Sequence, residues 1–280
     1  MPSKPQRLFV KSRLGPGVTI ELEPPQAHYL INVLRCKSGD EILLFNGKDG
    51  EWRGGLSGAT KRRASVTLGR QTRPQISAPD LHYLFAPLKR ARLDYMAQKA
   101  TEMGASLLKP VITRRTVAER VNKARLLANA IEAAEQCGIL WVPEVAEPEP
   151  LASVLNHWDE KRLLVFADEA APAASPLASL ASKTPRPLAV LIGPEGGFEQ
   201  EERALLLTKP FVLPISLGPR VMATLCGMLS QPVKPELCTP SPSIGANFRR
   251  FLPHLRSSCQ KLLSSVHMPQ SPQILSVAKQ

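Results

Sequence analysis

The chain has 280 residues, roughly twice a typical domain, with 43% hydrophobic and 21% charged residues, so a globular soluble protein of one large or two ordinary domains is expected. No run approaches the ~20 apolar residues of a membrane span, and Met1 to Arg13 is polar and basic without the apolar stretch of a secretory signal, so neither is expected and a cytoplasmic address is the expectation. The net charge of +12 is unevenly placed: +7 over residues 1–75 (13 Lys and Arg against 6 Asp and Glu), zero over 76–221 (17 against 17) and +5 over 222–280 (6 against 1).

A basic N-terminal part points to a polyanionic partner, with a solvated basic surface as the bland alternative. Residues 7–70 read as short strands and turns. Leu8-Phe9-Val10, Val18-Thr19-Ile20, Glu41 to Phe45 and Ala64 to Leu68 are apolar or alternating runs, and Asn46-Gly47 and Asp49-Gly50 are turn signals. His28 to Leu34 is a short helical piece stopped by Gly39-Asp40. Many short strands in about 70 residues predict a small β-barrel. Arg70 to Pro79, with Pro74 and Pro79, reads as a linker.

From residue 80 the period changes. Strands are expected at Asp80–Leu88, Leu107–Thr113, Leu163–Ala167, Leu188–Ile192 and Phe211–Leu217. Helices are expected at Arg92–Met103, stopped by Gly104, at Leu126–Cys137 with Leu127, Ala130, Ile131 and Ala134 inward, and at Glu199–Leu207. The alternation predicts an α/β domain with a parallel sheet, whose ligand site lies beyond the carboxyl ends of the strands. The last 59 residues, from Met222, hold 7 Pro and 9 Ser and no sustained period. They read as a disordered extension, in which Phe248–Leu263 is the stretch that fits one short amphipathic helix.

The five cysteines, Cys36, Cys137, Cys226, Cys238 and Cys259, form no Cys-x-x-Cys pair and have no His at zinc-ligand spacing. Neither a structural metal nor disulfides are expected, and buried, inert thiols are. Cys137 would need a nearby base to act as a nucleophile, and none is evident in the sequence.

The sharpest feature is Leu191-Ile192-Gly193-Pro194-Glu195-Gly196-Gly197-Phe198, between a buried strand and a helix. Such glycines let a ligand approach bare backbone. The loop is neither a Walker A sequence nor G-x-G-x-x-G. Glu195, Glu199, Glu201 and Glu202 would repel a polyphosphate at this helix start, so an uncharged or cationic nucleoside such as S-adenosylmethionine fits better; a tight turn that binds nothing is the alternative. Ser216-Leu217-Gly218-Pro219-Arg220 makes a second glycine loop at the next strand end, and Arg220 there can neutralise a carboxylate or phosphate. In Gln98-Lys99-Ala100-Thr101-Glu102-Met103-Gly104, the i,i+3 spacing of Lys99 and Glu102 reads as a surface ion pair.

In order along the chain, His28-Tyr29-Leu30, Val33-Leu34-Arg35, Gly39-Asp40, Lys89, Gln98 to Glu102 with Gly104, Pro110, Arg114, Glu135-Gln136, Val142-Pro143-Glu144, Gly193 to Phe198 with Glu202, and Leu217 to Val221 resemble the RsmE family of 16S ribosomal RNA uridine-N3 methyltransferases, of the SPOUT (trefoil-knot) superfamily. The resemblance covers about residues 5–221. It implies a PUA-like RNA-binding barrel (1–73), a knotted α/β methyltransferase domain (80–221) that binds S-adenosylmethionine and dimerises, and methyl transfer to a uridine of the small ribosomal subunit. It implies cofactor contacts from Gly193, Pro194, Glu195, Gly196, Gly197, Leu217, Gly218 and Val221, with a further strand-end loop near Ala167-Asp168-Glu169. Arg220, and after it Arg114, are the candidates for stabilising the developing uridine anion or its phosphate, and no base is identified. Arg35, Lys61, Arg62 and Arg63 are the candidates for RNA phosphates.

Two departures stand out. Ile139 occupies a position that is usually basic in the family. After Val221 the family continues with Arg-Ala-acid-Thr-Ala and an alanine-rich helix, whereas this chain reads Met222-Ala223-Thr224-Leu225-Cys226-Gly227-Met228 and then Pro- and Ser-rich sequence. So abrupt a change at one residue is what a shifted reading frame produces; the coding DNA after codon 221 is then expected to encode the missing helix in another frame, and its absence from both other frames refutes this. Three readings follow: an active methyltransferase, an RNA-binding relic with a dead α/β domain, or a small-molecule nucleotide enzyme.

Overall fold

The computed structural model describes residues 5–60, 63–116, 120–171, 179–180 and 187–217. The stretch after Leu217, including Gly218, Arg220, Val221 and the expected tail, lies outside the described residues, as do Lys61 and Arg62.

The first sheet has five strands in the order β1-β3-β4-β5-β2: β1 Gln6–Phe9, β2 Thr19–Glu21, β3 Glu41–Phe45, β4 Glu51–Ser57 and β5 Ser65–Arg73. β1 and β3 are parallel, and the other pairs are antiparallel. All five strands feed one core, with Leu8, Ile20, Ile42, Leu44, Leu56, Val66 and Leu68 buried together, so the sheet curls around it. β4 is absent from the sequence-based expectation because Gly54-Gly55 interrupts its pattern. Gly54 is needed there: a Cβ would stand 2.5 Å from the Thr67 carbonyl oxygen of β5. β5 also runs through Arg73, into the stretch expected to be linker. The helical piece begins earlier than expected. Helix α1, Pro24–His28, is started by a Glu23/Gln26 capping box with proline in its first turn, and it passes into a π-helical turn, Tyr29–Val33.

The second sheet is parallel, in the order β12-β10-β11-β6-β7-β8. Its strands are β6 Leu81–Phe85, β7 Leu107–Ile112, β8 Glu144–Val145, β10 Leu163–Ala167, β11 Leu188–Ile192 and β12 Val212–Ile215; β9, Glu149–Pro150, also pairs with β7. Helices cover both faces. Tyr83 and Phe85 of β6 pack with Met96, Ala97 and Ala100 of α2 (Arg90–Glu102) and with Leu126 and Ala130 of α3 (Lys123–Cys137). Leu84, one residue out of phase, faces Leu155 of α4 (Leu151–Asn156) and Leu206 of α5 (Gln200–Leu207). Burial on both sides explains why β10 and β11 are uninterrupted apolar runs. α3 starts at an Asn122 cap and ends at Gly138, in the left-handed conformation with φ 74°. Its buried stripe is Leu126, Ala130, Ala133 and Ala134; Leu127, expected inward, is 38% exposed because it lies about 100° round the helix from Leu126. Cys137, expected to be buried, is exposed on the last turn, and desolvation and Glu102 raise its thiol pKa, which is the opposite of activation.

The barrel is fastened to α3 by a buried ion cluster. Arg7 donates from Nε to Glu51 (2.6 Å) and from its terminal nitrogens to the carbonyls of Ala134 (2.7 Å), Glu135 (2.8 Å) and Ile139 (3.1 Å). Arg73 donates to both Glu51 oxygens and to the Gly138 carbonyl (2.8 Å). Glu135 accepts the Phe9 amide at 2.9 Å. The carbonyls left unpaired at a helix C-terminus carry partial negative charge, and two arginines satisfy them here. Ile139, at the usually basic position, is buried with Phe45, Leu140 and Trp141 beside this clamp.

Candidate active site

The direction in which the strands are added reverses between β6 and β11. The chain leaves β6 toward β7 on one side and leaves β11 toward β12 on the other, so the crevice beyond their carboxyl ends is a topological switch point, the place where open parallel sheets take their ligands. The Ala86 amide donates to the Ile192 carbonyl at 2.9 Å, and the Gly193–Phe198 loop starts there.

Within the loop the Gly197 amide donates to the Pro194 carbonyl at 2.9 Å, a tight turn closed by Gly197 at φ 70°. Phe198 folds back under Gly193 and meets Phe166 edge-on, with ring centroids 5.0 Å apart. The four carboxylates that the sequence places here are not free. Glu195 pairs with Arg92 of α2, and Glu201 with Arg114. Glu199 accepts from Arg115 Nε at 2.6 Å, which holds its carboxyl below the usual range. Glu202 caps α5 by accepting the Glu199 amide (3.1 Å) and accepts the Arg114 amide (2.9 Å). Arg115 also donates to the Gly196 carbonyl at 2.7 Å. The expected repulsion of a polyphosphate by four bare carboxylates is therefore softened to near neutrality. What still disfavours a phosphate is that the three arginines around the loop already have acidic partners.

Arg114 is thus placed beside the loop, with its guanidinium on Glu201 and 61% of its side chain exposed. Asp168, at the end of β10, is buried and held by Arg203 of α5 through Nε at 3.0 Å and Nη2 at 2.9 Å. Leu217, the last described residue, is partly buried against the cluster of Leu163, Val165 and Ile215. Lys99 and Glu102 form the expected ion pair at 2.8 Å, while buried Thr101 bonds back to the Ala97 carbonyl. Arg35 and Arg63 are exposed on loops at one end of the barrel, since the 36–40 loop joins Leu56 at the carboxyl end of β4. Arg35 is the only non-glycine residue with positive φ (58°) among the described residues. Arg92 and Arg115 were not singled out in the sequence, where nothing but their long-range pairing distinguishes them from surface arginines.

Among the described residues no group of three or more His, Cys, Asp or Glu is placed to hold a metal, and no helix is long and apolar enough to cross a membrane.

Comparison with known proteins gives two domain matches: an RNA methyltransferase domain over residues 76–226 and an RNA methyltransferase PUA domain over residues 22–69. The ribosomal RNA small subunit methyltransferase E of Rickettsia conorii is 30% identical over 221 residues, covering 78% of this chain and 90% of the relative. The chain belongs to this RNA methyltransferase family. Methyltransferase E of Bacillus subtilis is 26% identical over 234 residues, covering 78% of this chain and 91% of that one. The crystal structure of methyltransferase E from Neisseria gonorrhoeae bound to S-adenosyl methionine superposes with a TM-score of 0.70 at 23% identity, covering 80% of this chain and 94% of that one. A candidate methyltransferase of Legionella pneumophila in complex with the bound cofactor SAM gives 0.70 at 28% identity, over 80% and 93% of the two chains. The architecture of this RNA methyltransferase is a PUA-like barrel followed by a SPOUT-type α/β domain, as the sequence resemblance implies.

Proposed function

We propose that the chain methylates N3 of a uridine in 16S rRNA, with S-adenosylmethionine as methyl donor. The observation that carries this reading is the Gly193–Phe198 loop at the switch point of a sheet whose family is RNA methyltransferase. The site fits that cofactor: no side chain stands over Gly197, and the loop charges are close to neutral, which suits a zwitterionic nucleoside with a sulfonium. Gly193 to Gly197 and Leu217 would hold it, together with Gly218 and Val221. When bound it supplies an electrophilic methyl group on sulfur.

The rest falls to the chain's residues and the RNA. Uridine N3 carries a proton that must leave, and alignment of nitrogen with methyl supplies most of the acceleration. Arg220, from the second glycine loop, is proposed to stabilise the developing uridine anion or its phosphate. Arg114, held by Glu201, would have to exchange that partner to do the same. The proposed division of labour is RNA binding by residues 1–73 and methyl transfer by residues 80–221, in a cytoplasmic homodimer.

The test is methyl transfer from tritiated S-adenosylmethionine to small ribosomal subunits lacking the modification, with the base located by mass spectrometry. Label at uridine N3 is expected. Saturable cofactor binding without transfer would refute the activity, and no binding at all would favour the relic. For the barrel, neutralising Arg35, Lys61, Arg62 and Arg63 to Gln is expected to lower the slope of log affinity against log salt by about 3, at roughly 0.7 per lost contact with single-stranded phosphate. An unchanged slope would remove these residues from the interface.

A further inference from the structure

An open cleft of about 910 Å3 lies between the start of α2 and the approach to α3. Its apolar lining is Leu88, Leu93, Val121 and Leu126, and its cations are Lys89, Arg120, Lys123 and Arg125. Two of these are neutralised: Lys123 pairs with Glu147, and Arg125 with Asp94, which also accepts from Asn129. Lys89 and Arg120 have no acidic partner among the described residues. Among the described residues the lining is therefore an apolar floor with two uncompensated positive charges at its rim.

The start of α2 links the cleft to the glycine loop. Lys89 comes three residues after Ala86, whose amide is bonded to Ile192 beside Gly193, and Arg92, three residues further, is paired with Glu195 of the loop. The two concavities have opposite character. Around the loop Arg92, Arg114 and Arg115 are each paired with a carboxylate, which leaves none of these three free to hold a phosphate. In the cleft two cations stand without counter-charge among the described residues, and a volume of this size accepts a nucleotide.

We propose that this cleft takes the nucleotide flanking the target uridine, with its phosphodiester between Lys89 and Arg120 and its sugar and base against Leu88, Leu93, Val121 and Leu126. The methyltransferase domain then has its own RNA contact, separate from the barrel. This rests on the RNA methyltransferase reading. Phosphate contacts set register without reading sequence, so the cleft positions the strand and the glycine-loop crevice acts on the base.

The test uses the full chain and fluorescein-labelled ten-residue oligouridylate, with S-adenosylmethionine affinity measured in parallel. Lys89→Gln with Arg120→Gln is expected to weaken oligouridylate binding on the order of tenfold and to reduce the salt slope by about 1.4, at roughly 0.7 per phosphate contact, while cofactor affinity holds. The Lys89→Arg, Arg120→Lys exchange keeps both charges and is expected to keep both values. Unchanged affinity and slope in the double Gln variant of an active enzyme would overturn the cleft alone. Displacement of oligouridylate by an equal concentration of uridine monophosphate would assign the cleft to a free nucleotide and overturn the RNA assignment. A wild type that neither binds oligouridylate nor transfers methyl to small subunits overturns the methyltransferase reading, and the cleft with it.

Discussion

Glu51→Gln is expected to lower the free energy of unfolding at pH 7 by about 3–5 kcal/mol, the range for removing one partner of a buried ion pair. Glu51 is the anion on which both clamp arginines converge, with Thr72 as a third donor at 2.8 Å. Gln fits the same space but carries no charge. Arg7, buried and unable to shed its proton, then loses its hydrogen-bonded counter-ion beneath the last turn of α3 and keeps only the more distant Glu135. The clamp also predicts a pH dependence. Burial opposes ionisation of Glu51, but hydrogen bonds from Arg73, Arg7 and Thr72 overcome it and hold the carboxyl at about 2, against 4.5 for the free group. A carboxyl with a lowered pKa stabilises the fold fully above its unfolded value and loses that contribution as pH falls through the folded one. The wild type therefore loses on the order of 3 kcal/mol through this group between about pH 5 and pH 2. Urea denaturation at pH 7 and at stepped acidic pH measures both effects. A cost below 1 kcal/mol at pH 7, or equal acid sensitivity in the variant, would show that the cluster contributes little.

That clamp is a case of what the sequence does not display. Arg7 and Glu51 are 44 positions apart, and Arg7 meets Ile139 across 132, so no local period connects them. β10 and β11 are legible, to the residue, because a strand covered on both faces must be apolar at every position. β4 escapes because its two central glycines serve a close approach to β5, a need visible only once both strands are in place. The glycine loop is legible as a site, since its residues are consecutive. Its electrostatics are not: Glu195, Glu199 and Glu201 read as bare negative charge until Arg92, Arg115 and Arg114 arrive from other elements. The same blindness hides the cleft, whose unusual feature is that Lys89 and Arg120 lack, among the described residues, the partners their neighbours have.

Gly193→Ala is expected to reduce turnover by about a hundredfold, the cost of misplacing a reacting group by about 1 Å. A Cβ at residue 193 would lie 2.4 Å from Cε2, 2.9 Å from Cδ2 and 3.2 Å from Cζ of Phe198. To reach ordinary contact, either the ring or the loop must move by about that 1 Å. The ring is poorly placed to give way, because it is wedged edge-on against Phe166, itself fully buried in the core shared with Leu164 and Leu191. The loop is the softer side, since its outside holds are surface contacts, the Arg92–Glu195 pair and the Arg115 bonds to Glu199 and the Gly196 carbonyl. The displacement therefore goes into the backbone proposed to hold the cofactor, and S-adenosylmethionine affinity is expected to fall with turnover while the unfolding midpoint moves little. Removing ring atoms tests the cause. In a double-mutant cycle, Phe198→Leu is expected to restore part of the affinity lost in Gly193→Ala, a coupling of opposite sign to its own packing cost. An alanine variant that binds cofactor normally, or a double variant whose losses simply add, would show that the loop accommodates the methyl group without moving.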